Sequence, residues 1–258
     1  MAKTFKKDNL TVKISDSRVG MGKTAAADAA EALRRLLSEK EEVNVIFAAA
    51  PSQNETLAAL VKEPGIDWSR VNAFHMDEYI GLAPDAPQRF GKYLYDHVFG
   101  LLPFKSVNYI KPDKDDPEAT CREYSALLEK YQPDVIMMGI GENGHIAFND
   151  PPVADFNDPK LIKVVKLDEI CRNQQVNDGC FASIGEVPTH ALSLTIPVFM
   201  KAGKLICSVP APTKAQAVYD TIHNEKCDET CPATCMRGHK DATLYLDPDS
   251  AALLGEAE

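Results

Sequence analysis

No stretch of this sequence approaches the ~18–20 consecutive apolar residues that a helix needs to cross a bilayer, so no membrane partner is expected. Positive charge is also scarce. Lysine and arginine total 28 against 38 acidic residues, for a net charge of −10. A duplex-binding protein displays a basic stripe, and none is present, so nucleic acid is not an expected partner. The start, Met1-Ala-Lys-Thr-Phe-Lys-Lys-Asp8, is basic but has neither the h-region nor the cleavage site of a secretory signal, which makes the cytoplasm the expected location. The three-glycine nicotinamide fingerprint is missing, and no redox or electron-sink cofactor is expected. The chain also lacks internal repeats and low-complexity tracts.

Seven cysteines are present, an odd number that with no signal sequence argues against a disulfide framework. Cys227, Cys231 and Cys235 recur at a four-residue spacing, with His239 beyond them. That spacing raises a metal site. Pro232 breaks the helix that would align the thiols, and the paired-ligand pattern of zinc sites is absent, so no metal is expected.

Of the 258 residues, 45% are apolar, enough for one substantial core, and residues 1–258 read as a single domain. Residues 21–40, Glu55–Lys62, Gln88–Phe99, Pro117–Lys130 and Lys214–His223 have helical patterns; Asn54 or Ser52 is placed to cap the second. Val43–Ala50, Val71–Met76, Val135–Ile140, Leu161–Leu167, Ala191–Ile196, Lys204–Val209 and Ala242–Leu246 read as strands. Strands alternating with helices predict an α/β fold: a doubly wound, Rossmann-like, mostly parallel sheet with helices on both faces. The polar stretch from Glu142 to Pro159 is long enough to be a binding loop or lid.

Four strand ends carry the candidate chemistry, where open α/β sheets hold their ligands. Ala50-Pro-Ser-Gln-Asn54 follows a strand and opens a helix, which suits either a phosphate or a plain helix cap. Phe74-His-Met-Asp-Glu-Tyr79 sets two acids after a buried strand, where desolvation and mutual repulsion raise a carboxyl pKa and make a better base. The alternative is a pair of acids decorating a helix start. His75 reads as packed or hydrogen-bonded. In Gly139-Ile-Gly-Glu-Asn-Gly-His145, the glycines allow a sharp turn and close approach of a ligand. His145 can exchange a proton near neutrality, and Asp150 can orient or tune it. Val209-Pro-Ala-Pro-Thr-Lys214 puts a cation at a helix start, either for a phosphate or simply solvated.

These segments together resemble the glucosamine-6-phosphate deaminase (isomerase) family, which shares its fold with the 6-phosphogluconolactonases. The resemblance runs from about Val43 to Ala252. It is carried by Phe74–Tyr79, by Gly139-Ile-Gly-Glu-Asn-Gly-His-Ile-Ala-Phe-Asn-Asp-Pro-Pro152 and by Pro212-Thr-Lys-Ala215. It implies a cofactor-free conversion of a hexosamine 6-phosphate to a ketose phosphate and ammonia. Asp77 then corresponds to the base that shuttles a carbon-bound proton, and His145 to the acid/base that opens the ring. Lys214 and Ser52, Gln53 and Asn54 fall at phosphate-binding positions, and Arg172 in a region where the family carries phosphate-binding arginines. This chain has Asn143 where the family often has aspartate, Asp150 where it usually has glutamate, and Ser52-Gln53-Asn54 in place of paired glycines. The alternatives are a lactonase, which needs no carbon base, and a sugar-phosphate sensor, which would normally add a DNA-reading module. The expected partner is a small sugar phosphate, and a homo-oligomer is compatible with the sequence.

Overall fold

A computed structural model of the chain describes residues 3–151 and 153–255. In chain order the strands are β1 (Lys3–Lys7), β2 (Leu10–Ile14), β3 (Val43–Phe47), β4 (Val71–His75), β5 (Asp77–Tyr79), β6 (Ser106–Asn108), β7 (Val135–Met138), β8 (Ile162–Lys166), β9 (His190–Leu194), β10 (Lys204–Val209) and β11 (Ala242–Leu246). The α-helices are α1 (Arg18–Glu39), α2 (Asn54–Leu60), α3 (Phe90–Leu94), α4 (Pro117–Lys130), α5 (Glu169–Asn177), α6 (Ile196–Lys201) and α7 (Ala215–His223).

Eight strands form the central sheet in the order β1-β2-β11-β10-β7-β3-β4-β6. All its pairings are parallel except β1 with β2. The inner strands are buried on both faces and read as continuous apolar runs, as parallel strands do. Alternate residues feed two cores. Ile46, Ile136, Leu205 and Leu244 point to one, with Tyr124 of α4 and Val218 of α7. Val45, Phe47, Val135, Met137 and Ile206 point to the other, against Ala25, Ala29 and Leu33 of α1. The strand order reverses between β3 and β7, which makes the gap beyond their carboxyl ends the switch point of the sheet. Phe47 is level with Met137, so the turns after β3 and β7 begin side by side.

Local chemistry sets the helix starts. Ser17 accepts from the Gly20 N–H at α1, Asp116 from the Ala119 N–H at α4, and Asp168 from the Cys171 N–H at α5. Gly22 lets α1 lie tight on α2: a Cβ there would sit 2.6 Å from the Glu55 backbone.

Several expectations need correction. Neither Ser52 nor Asn54 caps α2, because a 3₁₀ turn over Pro51–Gln53 runs straight into it. The helix expected from Gln88 starts at Phe90, and its last turn, Tyr95–Phe99, is π-helical. Leu161–Leu167 and Ala191–Ile196 do form strands, but in a separate three-stranded sheet in which β9 pairs antiparallel with both β5 and β8. The β1–β2 hairpin, β5, β6, α5 and α6 were not anticipated.

Candidate active site

The four strand ends meet at one cavity over the switch point. Ala48–Gln53 after β3, Met76 and Asp77 after β4, Gly139–Gly141 after β7, and Pro210 and Ala211 after β10 all line it. Its free space, open mouth included, is ≈ 780 Å³.

Asp77 and Glu78 alternate across β5 and go separate ways. Glu78 is fully buried and accepts from the backbone N–H groups of Tyr79, Phe90 and Gly91 at 3.1, 3.1 and 3.0 Å, anchoring the start of α3. Asp77 faces the cavity. Burial pushes its carboxyl well above the usual carboxylate range, and the neighbouring Glu78 charge adds to the effect. His75 lies behind them, wholly buried, with Nδ1 2.9 Å from the Asp77 carbonyl and Nε2 accepting from the Ile110 N–H at 2.8 Å. Burial pulls its pKa down to about 4, so the ring is a neutral structural strut at working pH.

His145 lines the same cavity. Its Nδ1 lies 2.8 Å from Asn143 Oδ1 and 3.0 Å from Asp150 Oδ1. Asn143 donates its amide to Asp150 at 2.8 Å, which turns its carbonyl towards the imidazole. Both neighbours of Nδ1 are acceptors, so Nδ1 carries the proton and Nε2 keeps a free lone pair. Burial opposes ionisation of Asp150, but His145 beside it and the hydrogen bonds it receives hold its carboxyl below the usual range. The ring lies flat on Gly141, where an added Cβ would fall 2.0 Å from its Cε1. Gly144 has φ +78° and packs over Cys231, leaving 2.7 Å between an added Cβ and Sγ. Only Gly144 of the three turn glycines needs the left-handed region; Gly139 and Gly141 serve close approach. Ala147, also on the cavity wall, has φ +50°, a strained conformation for an alanine.

Lys214 is 4% exposed, lines the cavity, and its Nζ has no hydrogen-bond partner among the described residues. Burial pulls its pKa down. Ser52 and Gln53 line the cavity, with Gln53 Nε2 donating to Ser52 Oγ and the Ser208 carbonyl at 3.2 Å each.

Two residues expected at the phosphate lie elsewhere. Asn54 points to the Tyr93 hydroxyl, which donates to its Oδ1 at 2.6 Å. The Arg172 guanidinium donates to the carbonyls of Ile184 and Val187 at 2.6 and 2.8 Å, tying α5 to the segment after it. Conversely, Arg18, Gln174, Gln175 and Asp178 line the cavity and were not anticipated. Gln174 accepts from the Glu142 N–H at 2.9 Å and so joins α5 to the glycine turn. A polar α5 sequence carries no mark of this, since only the fold brings it over the cavity.

Among the described residues, His145, Asp150 and Cys171 form the one group whose donor atoms lie close enough to hold a metal, within 4.8 Å of one another. Nδ1 of His145 is already engaged, and burial pushes the Cys171 thiol up, away from the thiolate a metal would need. The group reads as a hydrogen-bonded support for the imidazole. The clustered cysteines do not converge: Cys227 is exposed, Cys231 lies under the glycine turn, and His239 is held by the Ala202 carbonyl and the Asp241 N–H.

Residues 16–245 match the family described as glucosamine-6-phosphate isomerases/6-phosphogluconolactonase. A glucosamine-6-phosphate deaminase of Listeria innocua is 36% identical over 213 residues, covering 83% of this chain and 88% of that one. One of an Exiguobacterium species is 34% identical over 198 residues, covering 77% and 76%. Among solved structures, a monomeric glucosamine-6-phosphate deaminase superposes with a TM-score of 0.83 at 27% identity, covering 94% of this chain and 99% of that one. The 6-phosphogluconolactonase of Trypanosoma brucei reaches 0.78 at 15% identity, covering 97% and 100%, a likeness of fold alone. The chain therefore belongs to the glucosamine-6-phosphate isomerase/6-phosphogluconolactonase family.

Proposed function

We propose that this chain catalyses the isomerisation and deamination of a hexosamine 6-phosphate, converting glucosamine 6-phosphate and water to fructose 6-phosphate and ammonia. The observation that carries the reading is a single cavity walled by a desolvated carboxyl, Asp77, an imidazole with a free Nε2, His145, and an unpartnered buried ammonium, Lys214.

The steps follow from those groups. Lys214 and the Ser52 hydroxyl bind the phosphate and fix the sugar. His145 Nε2 takes the proton of the C1 hydroxyl and returns it to the ring oxygen, breaking the bond from C1 to that oxygen. Asp150 and Asn143 hold the ring and its tautomer through Nδ1. Asp77, as carboxylate, takes the proton from C2 and delivers it to C1, while a proton of the amino group passes to O1, leaving an imine at C2 and a hydroxyl at C1. Water adds to that carbon and ammonia leaves. Positioned acid and base groups of this kind contribute about 10²- to 10⁴-fold each. A cytoplasmic location goes with this substrate; no described helix is long and apolar enough to span a membrane.

Lactone hydrolysis is the competing chemistry, and it leaves Asp77 without work. The test is ammonia release from a panel of hexosamine 6-phosphates, run beside hydrolysis of a phosphogluconolactone. The expected result is ammonia release from one of the panel and no lactone hydrolysis above background. The reverse pattern overturns the proposal.

A further inference from the structure

Arg18 opens α1, upstream of every stretch that carries the motif resemblance. Its side chain nevertheless lines the cavity together with Ser52 and Lys214. Two contacts fix it. Nε sits 2.8 Å from Oε1 of Glu55 on α2, and Nη2 donates to the Pro51 carbonyl at 3.0 Å. The close seat of α1 on α2, made possible by Gly22 against Glu55, is what carries the first turn of α1 to the turn after β3.

A guanidinium has five N–H donors in a rigid fork. The Pro51 carbonyl takes one N–H of Nη2, and Nε faces Glu55 as an ion pair without hydrogen-bond geometry, which leaves three N–H groups on the two terminal nitrogens for a ligand. Glu55 fixes the direction of the fork, and the Pro51 bond ties it to the segment that presents Ser52 and Gln53. Lys214 offers a second cation to the same cavity, a compact ammonium with no hydrogen-bond partner among the described residues.

We propose that Arg18 and Lys214 form a two-cation clamp for the phosphate monoester of the substrate, with Arg18 as a specificity-determining residue for phosphorylated over free sugars. This rests on the function proposed above. Two cations from different elements match the dianionic charge of a phosphate monoester. The fork supplies directed hydrogen bonds and the ammonium a point charge. The clamp also replaces what the departures at the first turn remove, since Ser52-Gln53-Asn54 gives the phosphate less bare backbone than paired glycines would.

The test uses Arg18→Met and the double variant Arg18→Met/Glu55→Gln, in which no carboxylate is left without its partner. Calorimetry gives the affinity for inorganic phosphate, and steady-state kinetics give KM and kcat for glucosamine 6-phosphate. Hydrogen bonds to charged groups predict a loss of roughly 10- to 100-fold in phosphate affinity for both variants. KM should rise by a similar factor with kcat changed far less, because a phosphate contact is mainly uniform binding. Arg18→Lys should restore part of the affinity. Phosphate affinity and KM that stay at the wild-type values in the double variant overturn the clamp. So does a fall in kcat with phosphate affinity intact, which would make Arg18 a support of the fold. The two proposals fail separately. A wild-type chain that binds phosphate through Arg18 but releases no ammonia loses the reaction and keeps the clamp. A chain that deaminates equally well with and without Arg18 loses the clamp and keeps the reaction.

Discussion

Asp77 and Glu78 are adjacent acids with opposite fates, and the difference is the register of a three-residue strand. Glu78 takes three backbone N–H groups and anchors α3; Asp77 meets the cavity. The sequence showed that the pair follows a buried strand; of the two, Glu78 sits at a helix start and Asp77 faces the cavity, where its role as base is the proposal made above. Which residue takes which place depends on pairing with β9, which no local pattern reveals. The raised Asp77 pKa has a stability consequence of definite sign. The folded state favours the protonated acid, so the charged form costs stability above the raised pKa, and the cost vanishes below the ordinary carboxylate value. Asp77→Asn should therefore raise the melting temperature at pH 7.5, at about 2–4 °C per kcal/mol for a chain of this size, with a gain that shrinks towards pH 4. Calorimetric melting at both pH values checks it. Gly141→Ala is the second residue-scale prediction. Its Cβ would fall inside the imidazole, so His145 must swing away, and kcat should drop by about 10²- to 10⁴-fold while inorganic phosphate still binds.

At the scale of elements, legibility followed periodicity. Helix α4 lies over the residues expected, because Pro117 follows a capping Asp116 and Tyr124 and Leu128 share one apolar face. Strands β3, β7 and β10 were readable as apolar runs of strand length. The β1–β2 hairpin was not, since Lys3–Lys7 is mostly polar and exposed and gives no core signal. Helix α5 was missed for a similar reason: its sequence is polar, and Cys171, Gln174 and Gln175 are buried by their neighbours rather than by an apolar stripe. The packing of α1 on α2 was equally invisible, which is why Arg18 went unnoticed. Gly22→Ala tests that contact. Alanine improves helix propensity by about 1 kcal/mol, but a Cβ 2.6 Å from the rigid Glu55 backbone should cost about 3 kcal/mol, for a net loss of about 2 kcal/mol readable in urea unfolding.

For the whole molecule, the parallel sheet fixes where chemistry can occur. Strand order reverses between β3 and β7, and the loops on either side of that gap bring together four sequence segments spread between Ala48 and Ala211. The α/β class and the cavity's strand-end residues were legible because each is a local pattern: an apolar run followed by a turn with polar or titratable side chains. The three-stranded sheet and the placement of Arg172 and Asn54 were not, because they follow from which elements pack together. The account stands on proton transfer at a sugar carbon by Asp77. The most direct measurement follows glucosamine 6-phosphate carrying deuterium at C2 by NMR, with wild-type chain and with Asp77→Asn. The account predicts that the wild type removes the label from C2 with a primary isotope effect and releases ammonia, and that the variant does neither while still binding inorganic phosphate. Wild-type turnover by Asp77→Asn, or a label that stays at C2 while the substrate is consumed, would contradict it.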